Sequence, residues 1–136
     1  MMQSKRWLVF MLLAFVLGDA HAENVVVIGH AGLGKLSTTA VERIFTGKVI
    51  EVDGVHVTAV NLKPGALRSR FLQHYLNQDD DQYTAYWTVR RFIGKGIPPR
   101  ELSSVDEVID FVQHTPGAIG YIDESELKPG LNVLSR

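Results

Sequence analysis

The sequence predicts an α/β domain in which about four helices pack on one small sheet. Three observations lead to this fold class: a continuous β-branched run near residue 25, apolar residues at helical spacing in the middle of the chain, and two short apolar runs near its end. Continuous apolar runs are typical of buried strands, and apolar residues at i, i+3 and i+4 are typical of helices. The predicted order is βαβαααββ, which gives helices that cover a sheet.

The first strand and the first helix are separated by a glycine-containing loop. The strand is "VVVI", Val25–Ile28, and the helix covers Thr38–Phe45 with one apolar face made of Val41, Ile44 and Phe45. Ser37 or Thr39 is expected to cap this helix, and Gly47 is expected to end it.

A second strand is predicted over residues 55–59, because Val55, Val57 and Ala59 alternate with His56 and Thr58. Three helices follow. The first begins near Pro64 and ends around Asn77, the second begins at Asp79 or Asp80 and ends at Gly94, and the third begins with a capping box of Ser104 and Glu107 and ends at Pro116-Gly117. The core candidates on these helices are Leu67, Phe71, Tyr75, Tyr83, Tyr86, Trp87, Ile93, Val105, Val108, Ile109 and Val112. The runs "AIGYI" and "LNVL" are predicted as the last two strands.

Residues 1–22 have the pattern of a cleaved export signal. Lys5 and Arg6 precede the apolar run Trp7–Leu17, and Ala20-His21-Ala22 supplies the small residues that signal peptidase requires. The run is about half of the roughly 20 residues that span a bilayer, so cleavage is favoured over a membrane anchor. The expected product is a periplasmic domain of residues 23–136.

The stretch "GHAGLGK" is similar in spelling to a nucleotide-binding P-loop, since Gly29 is followed after four residues by Gly34 and Lys35. A P-loop requires Ser or Thr directly after the lysine as a Mg²⁺ ligand, and this chain has Leu36 there. The loop is therefore expected to bind no nucleotide.

Composition and spacing argue against several other classes of function. The net charge is −1, which favours neither nucleic acid nor an anionic membrane surface as a partner. The chain has no cysteine, so thiolate catalysis and disulfides are excluded. The histidines lack the spacing of a zinc site, and no serine lies in a GxSxG turn. We expect no enzymatic activity, no catalytic residue, no metal and no cofactor.

Four stretches carry a resemblance to a known family: "LSTTAVERIFTGKV", "GALRSRF", "YWTVRRFIGKGIPPREL" and "TPGAIGYI". In this order and at these separations they resemble small exported proteins related to the phosphate-binding protein of the phosphate ABC importer. The resemblance extends from Val25 to Leu134. It implies a single lobe of the two-lobed type II periplasmic binding protein fold, with a small mixed sheet and about four helices.

The resemblance also implies where an anion would bind. In two-lobed relatives an arginine and a Gly-Ser-Gly-Thr-like turn before the second helix hold the phosphate. Here Asn61 stands at the position of the arginine, Gly65 at that of the serine and Leu67 at that of the threonine. The remaining candidates are the backbone N–H groups of Gly65, Ala66 and Leu67, with Lys63, Arg68 and Arg70 as nearby cations. The alternative is a helix start whose N–H groups meet only water.

Two more residues are candidates for a ligand crevice, Lys35 in the glycine-containing loop and Tyr121 in "AIGYI". The Tyr121 hydroxyl is expected either to face the crevice or to cap a loop. The leading hypothesis for function is an exported solute-binding-like domain for phosphate or a related oxyanion, linked to phosphate ABC transport. The alternative is an interaction or sensing module that has lost its ligand and docks on a membrane transporter or sensor.

Overall fold

Residues 24–136 are described by the computed structural model, and they form seven strands and four helices. The strands are β1 (Val25–Gly29), β2 (Glu51–Val52), β3 (Val55–His56), β4 (Thr58–Leu62), β5 (Arg100–Leu102), β6 (Ala118–Asp123) and β7 (Asn132–Ser135). The helices are α1 (Thr38–Phe45), α2 (Ala66–Phe71), α3 (Asp80–Phe92) and α4 (Val105–His114). A π-helical turn, Leu72–Leu76, continues α2, and a 3₁₀ turn, Glu124–Glu126, follows β6.

Five strands form the central sheet in the order β5–β4–β6–β1–β7. Strand β4 is parallel to both β5 and β6, whereas β1 is antiparallel to both β6 and β7. The carboxyl ends of β4 and β6 therefore lie at the same edge of the sheet as the amino end of β1. Helix α2 begins at this edge, four residues after the end of β4.

Helices cover both faces of the sheet, as two neighbouring residues of β6 show. A Cβ added at Gly120 would lie 2.6 Å from Cγ1 of Val108, so α4 packs directly against the backbone on that face. On the opposite face the ring of Tyr121 stacks on the ring of Phe71 from α2, with centroids 3.9 Å apart. The sheet is thus the middle layer between α4 on one side and α1 and α2 on the other.

The predicted fold class, an α/β sheet with four helices, is confirmed, and so are several local signals. Ser37 caps α1 by accepting the N–H of Ala40, and Gly47 follows that helix with a φ of 71°. Asp79 caps α3 in a reciprocal capping box with Gln82. These features depend on residues a few positions apart, which explains why sequence alone predicts them.

The strand predicted over residues 55–59 is wrong in its extent. Asp53 and Gly54, both with positive φ, form a tight turn that pairs β3 with β2 in a separate hairpin, and β4 begins only at Thr58. Val55 is consequently exposed while Val57 is buried. Strand β5 was not among the predicted elements, because its three residues are strand only through pairing with β4.

Four helix residues that were predicted to be buried in the core are exposed or only half-buried. Ile93 was expected in the core, but it lies beyond α3 on the solvent side and is exposed. Leu67, Tyr86 and Val105 are half-buried at the margin of the core. The other core candidates on the four helices are buried: Val41, Ile44, Phe45, Phe71, Tyr75, Tyr83, Trp87, Val108, Ile109 and Val112.

The predicted export signal, residues 1–22, lies outside the described residues, and its cleavage stays a prediction. Within residues 24–136, no helix has both the length and the apolar character needed to cross a bilayer. The described core is formed by residues between Val25 and Leu134.

Candidate functional site

The candidate anion site is the start of α2, at the sheet edge where β4 ends. Gly65 is the N-cap residue and supplies no side chain to the first turn, and the first helical bond runs from the Ser69 N–H to the Gly65 carbonyl at 2.9 Å. The N–H groups of Ala66 and Leu67 make no hydrogen bond to any residue in the described part of the chain. Residues 63–66 are exposed and Leu67 is half-buried, so these two unpaired donors lie at the surface, where they can meet water or an anion.

Arg68, which was expected to supply a cation to this site, points into the protein instead. Its side chain is only 4% exposed. Nε donates to Asp80 at 2.7 Å, and Nη1 donates to Glu101 at 2.8 Å and to the Leu62 carbonyl at 3.0 Å. Arg68 therefore joins α2 to the end of β4, to the first turn of α3 and to β5.

The charges around Arg68 do not leave a net positive site. Burial lowers the pKa of the guanidinium, but the bonds and charges of Glu101 and Asp80 outweigh this effect and raise the pKa above its ordinary value. Two carboxylates facing one guanidinium give the cluster a formal charge of −1 when all three groups are ionised. Lys63, two residues before Gly65, is exposed and forms no ion pair with a carboxylate of the described residues.

Asn61 stands where the resemblance implies an arginine, and it belongs to a buried polar network. The Tyr121 hydroxyl donates to Asn61 Oδ1, and the Asn61 amide donates to the Tyr83 hydroxyl at 3.2 Å. Tyr83 in turn donates to the Phe45 carbonyl at 2.9 Å. The Leu62 N–H also donates to the Tyr121 hydroxyl, at 3.1 Å. These bonds connect β4, β6, α1 and α3 beneath the candidate site.

Burial controls the ionisation of both tyrosines in this network. Loss of solvation raises the pKa of Tyr83 to about 12, while Trp87, Arg68 and Asn61 oppose the rise. The pKa of Tyr121 is raised further for the same reason. Tyr121 is 1% exposed, so its hydroxyl neither faces an open crevice nor caps a surface loop. It fixes the position of the last residue of β4.

Lys35 lies away from this edge. Its Nζ donates to the carbonyl of Val133 at 2.7 Å, which holds the glycine-containing loop against β7. Strand β7 is three positions from β4 in the sheet, or about 14 Å at about 4.8 Å per strand. The structure therefore does not bring Lys35 together with Lys63 and Gly65.

A cavity of about 180 Å³ lies beside Arg68, between α3 and the β4–β5 edge of the sheet. Its lining combines apolar surface from Trp87 and Pro98 with the Thr84 hydroxyl and the guanidinium of Arg91. The indole Nε1 of Trp87 is buried without a hydrogen-bond acceptor among the described residues, although it lies close enough to Tyr83 to influence the pKa of that hydroxyl. The described residues contain no cluster of ligands for a metal ion.

The sequence does not predict Asp80 and Glu101 as partners of Arg68. A signal for the inward orientation of Arg68 was present, since Phe71, Leu72 and Tyr75 follow it at i+3, i+4 and i+7 and are all buried. No sequence signal identified Glu101, because it reaches Arg68 only through the pairing of β5 with β4.

Comparison with solved structures supports the resemblance at the level of the fold. The chain is similar to a protein from Clostridium perfringens assigned as a phosphate ABC transporter substrate-binding protein and crystallised with bound phosphate, with 18% identity and a TM-score of 0.62. It is also similar to an ABC-type phosphate transport receptor from Vibrio cholerae, with 10% identity and a TM-score of 0.55. No protein-family model and no curated protein sequence matches the chain.

Each of these structural similarities extends over only part of the solved protein. Each covers 81% of this chain but only 43% and 44% of the two solved proteins. The chain therefore spans less than half the length of the proteins that it is similar to. Its fold is that of a single lobe of a phosphate-binding protein.

Proposed function

We propose that this chain is an exported, non-enzymatic binding lobe that takes phosphate or a related oxyanion at the start of α2 and serves phosphate ABC transport. The observation that carries the proposal is the first turn of α2, which has no side-chain cap and leaves the N–H groups of Ala66 and Leu67 unpaired, three and four residues after the exposed Lys63. Helix N-termini of this kind attract anions because unpaired N–H groups and the helix dipole act together.

The available interactions limit the affinity. An exposed helix N-terminus contributes about 0.3–1 kcal/mol to a nearby negative charge, and up to about 2 kcal/mol when partly buried. An exposed lysine adds about 0.2–1 kcal/mol. Millimolar binding already requires about 4 kcal/mol and micromolar binding about 8 kcal/mol. These contributions sum to at most about 3 kcal/mol, so we expect the monomer to bind phosphate no more tightly than roughly 1 mM, with a tighter complex only if a second lobe adds donors and excludes water.

Calorimetric titration with phosphate, sulfate and small carboxylates tests the proposal. The most specific variant is Ala66→Pro, which removes one of the open N–H groups at a helix position that accepts proline without strain. We expect it to weaken binding about fivefold, equivalent to about 1 kcal/mol for one hydrogen bond. Lys63→Gln should weaken binding to a similar degree, whereas Lys128→Gln, on an exposed lysine before β7, should not change it.

Two results would contradict the proposal in different ways. The absence of binding to every anion tested would show that the site has been lost. Micromolar binding by a proven monomer would show that one lobe forms a complete site, with donors beyond Lys63 and the N–H groups of Ala66 and Leu67.

Hydrolysis provides a further test, because the proposal excludes enzymatic turnover. The residue after Lys35 is Leu36, which offers no oxygen to Mg²⁺, and the Lys35 ammonium is bound to a backbone carbonyl. The purified chain with ATP or a generic phosphoester should give only the rate of the buffer. Turnover that disappears in Lys35→Ala would refute this expectation.

One observation favours a second candidate function, an interaction or sensing module that docks on a membrane partner without a ligand. The Arg68 guanidinium is committed to Asp80 and Glu101, and the cluster carries excess negative charge. If titration detects no anion, this commitment explains the loss, and the lobe then serves as a scaffold for contacts with another protein.

A further inference from the structure

The segment from Gln82 to Arg100 is unusual in its charge. It contains no Asp or Glu, and its cations are Arg90, Arg91, Lys95 and Arg100. The net charge of −1 for the whole chain conceals this local excess. The segment comprises most of α3 and the loop that leads to β5.

Helix α3 has two apolar stripes on different faces. Tyr83 and Trp87 face the core and are buried. Val89, Phe92 and Ile93, at i, i+3 and i+4, are more than half exposed. Ile97 in the following loop is 75% exposed. Phe92 is 91% exposed, more than any other large apolar side chain in the described part of the chain. We call these four residues together with Lys95 the apolar–basic surface.

The cations in and beside this surface differ in their contacts. Arg91 and Lys95 are exposed and form no ion pair with any carboxylate of the described residues. Arg90 behaves differently, because its guanidinium lies over the rings of Tyr86 and Trp87 at 5.4 and 5.8 Å from their centroids. Arg90 therefore packs along its own helix, and Arg91 also lines the cavity beside Arg68. Of these three cations, Lys95 makes neither contact.

We infer that the apolar–basic surface binds a lipid bilayer that contains anionic headgroups. Apolar side chains that protrude between cations match the membrane interface, where the rings and aliphatic groups enter the acyl boundary and the cations meet phosphate-bearing headgroups. Phe92 protrudes with almost its whole side chain free, an arrangement that suits insertion into lipid. Anionic lipid is the occupant whose charge complements a segment with four cations and no carboxylate.

This surface is independent of the candidate anion site. Phe92 is twelve residues beyond Asp80, which contacts Arg68, so it lies about 18 Å further along α3 at about 1.5 Å per residue. Membrane binding and phosphate binding can therefore be lost separately. The inference adds a lipid contact to the proposed function and does not depend on it.

Cosedimentation with vesicles tests the inference, using residues 23–136 so that the apolar run near residue 7 is absent. This chain contains the whole described core, and circular dichroism would establish its fold before the assay. We expect it to pellet with vesicles of phosphatidylcholine and phosphatidylglycerol and to stay in the supernatant with phosphatidylcholine alone. Added salt should release it, because the attraction of exposed cations is screened.

Matched variants separate the apolar and the charged contributions. We expect Phe92→Ser to weaken partitioning about tenfold, equivalent to about 1.4 kcal/mol, and Phe92→Leu to retain most of it. Lys95→Gln should weaken partitioning about fivefold, in line with about 1 kcal/mol for each cation near an anionic surface. Lys128→Gln makes the same change in net charge elsewhere and should have little effect.

Three outcomes would overturn the inference. The first is equal binding to neutral and anionic vesicles, and the second is binding that Phe92→Ser and Lys95→Gln leave unchanged. The third is no binding to either vesicle together with self-association that Phe92→Ser abolishes in analytical ultracentrifugation. That result would assign the surface to contacts between copies of this chain.

Discussion

Removal of the Arg68 guanidinium should destabilise the fold more than it affects any ligand. Arg68→Met keeps an aliphatic stem of similar length and deletes three hydrogen bonds, two to carboxylates and one to the Leu62 carbonyl. The carboxyl side chains of Asp80 and Glu101 are 32% and 46% exposed, so water can solvate them after the change.

The solvent exposure of Asp80 and Glu101 determines how much stability Arg68→Met is expected to lose. A hydrogen bond to a charged group contributes about 1.5–3 kcal/mol when buried, but solvent screening reduces this to about 0.5–1 kcal/mol for each of the two carboxylates. The Leu62 carbonyl loses a donor at a cost of about 1–2 kcal/mol. The sum is about 2–4 kcal/mol, a large share of the roughly 5–15 kcal/mol that stabilises a typical domain.

Urea unfolding followed by Trp87 fluorescence measures this loss, since Trp87 is the one tryptophan of the chain beyond the predicted signal. Arg70→Met is the control on the same helix. The Arg70–Asp123 ion pair spans 3.0 Å, and the Arg70 side chain is 32% exposed, so loss of this pair should cost about 0.5–1 kcal/mol, less than the change at Arg68.

A second comparison isolates the excess negative charge. Adding Asp80→Asn and Glu101→Gln to Arg68→Met removes two carboxylates that have lost their counter-ion, so the triple variant should recover part of the stability. The reasoning fails if Arg68→Met and Arg70→Met are equally stable. It also fails if Arg68→Met keeps full stability and loses only its calorimetric response to phosphate, because Arg68 would then be a ligand and not a structural residue.

The remaining predictions concern pH, a close backbone contact and processing. Burial raises the pKa of Tyr83 to about 12, so the contribution of this residue to stability should be fully present below about pH 10 and should fall as the pH rises towards 12. Over this range the urea midpoint of Tyr83→Phe should fall less steeply with pH than that of the unmodified protein. Gly117 has a φ of 75°, and a Cβ added there would clash with the His56 carbonyl oxygen, so Gly117→Ala should lose more than about 3 kcal/mol in urea unfolding. Gly54→Ala, with a φ of 78° and open space around it, should lose about 1–2 kcal/mol. Mass spectrometry of the exported protein should show Glu23 as its first residue, and an intact Met1 in the membrane fraction would contradict cleavage.

The sequence alone determined the elements whose signals are local. Caps at Ser37 and Asp79 and the left-handed residue Asn77, with a φ of 52°, mark helix ends through bonds to residues a few positions away. The buried strand at Val25–Gly29 followed from its β-branched run. The dipeptide Asp53-Gly54 favours a tight hairpin turn. The alternation of apolar and polar residues after it nevertheless predicted one continuous strand.

The tertiary structure decided everything that depends on which strands become neighbours. Because β6 and β1 lie between β4 and β7 in the sheet, Lys35 is bound to a strand that lies about 14 Å from β4. Because β5 pairs with β4, Glu101 accepts a hydrogen bond from Arg68. Arg68 was predicted as a cation for an anion, and in the structure it is buried between carboxylates. The pairing of strands that are distant in sequence depends on the packing of the whole core, so it cannot be predicted from a short window of neighbouring residues.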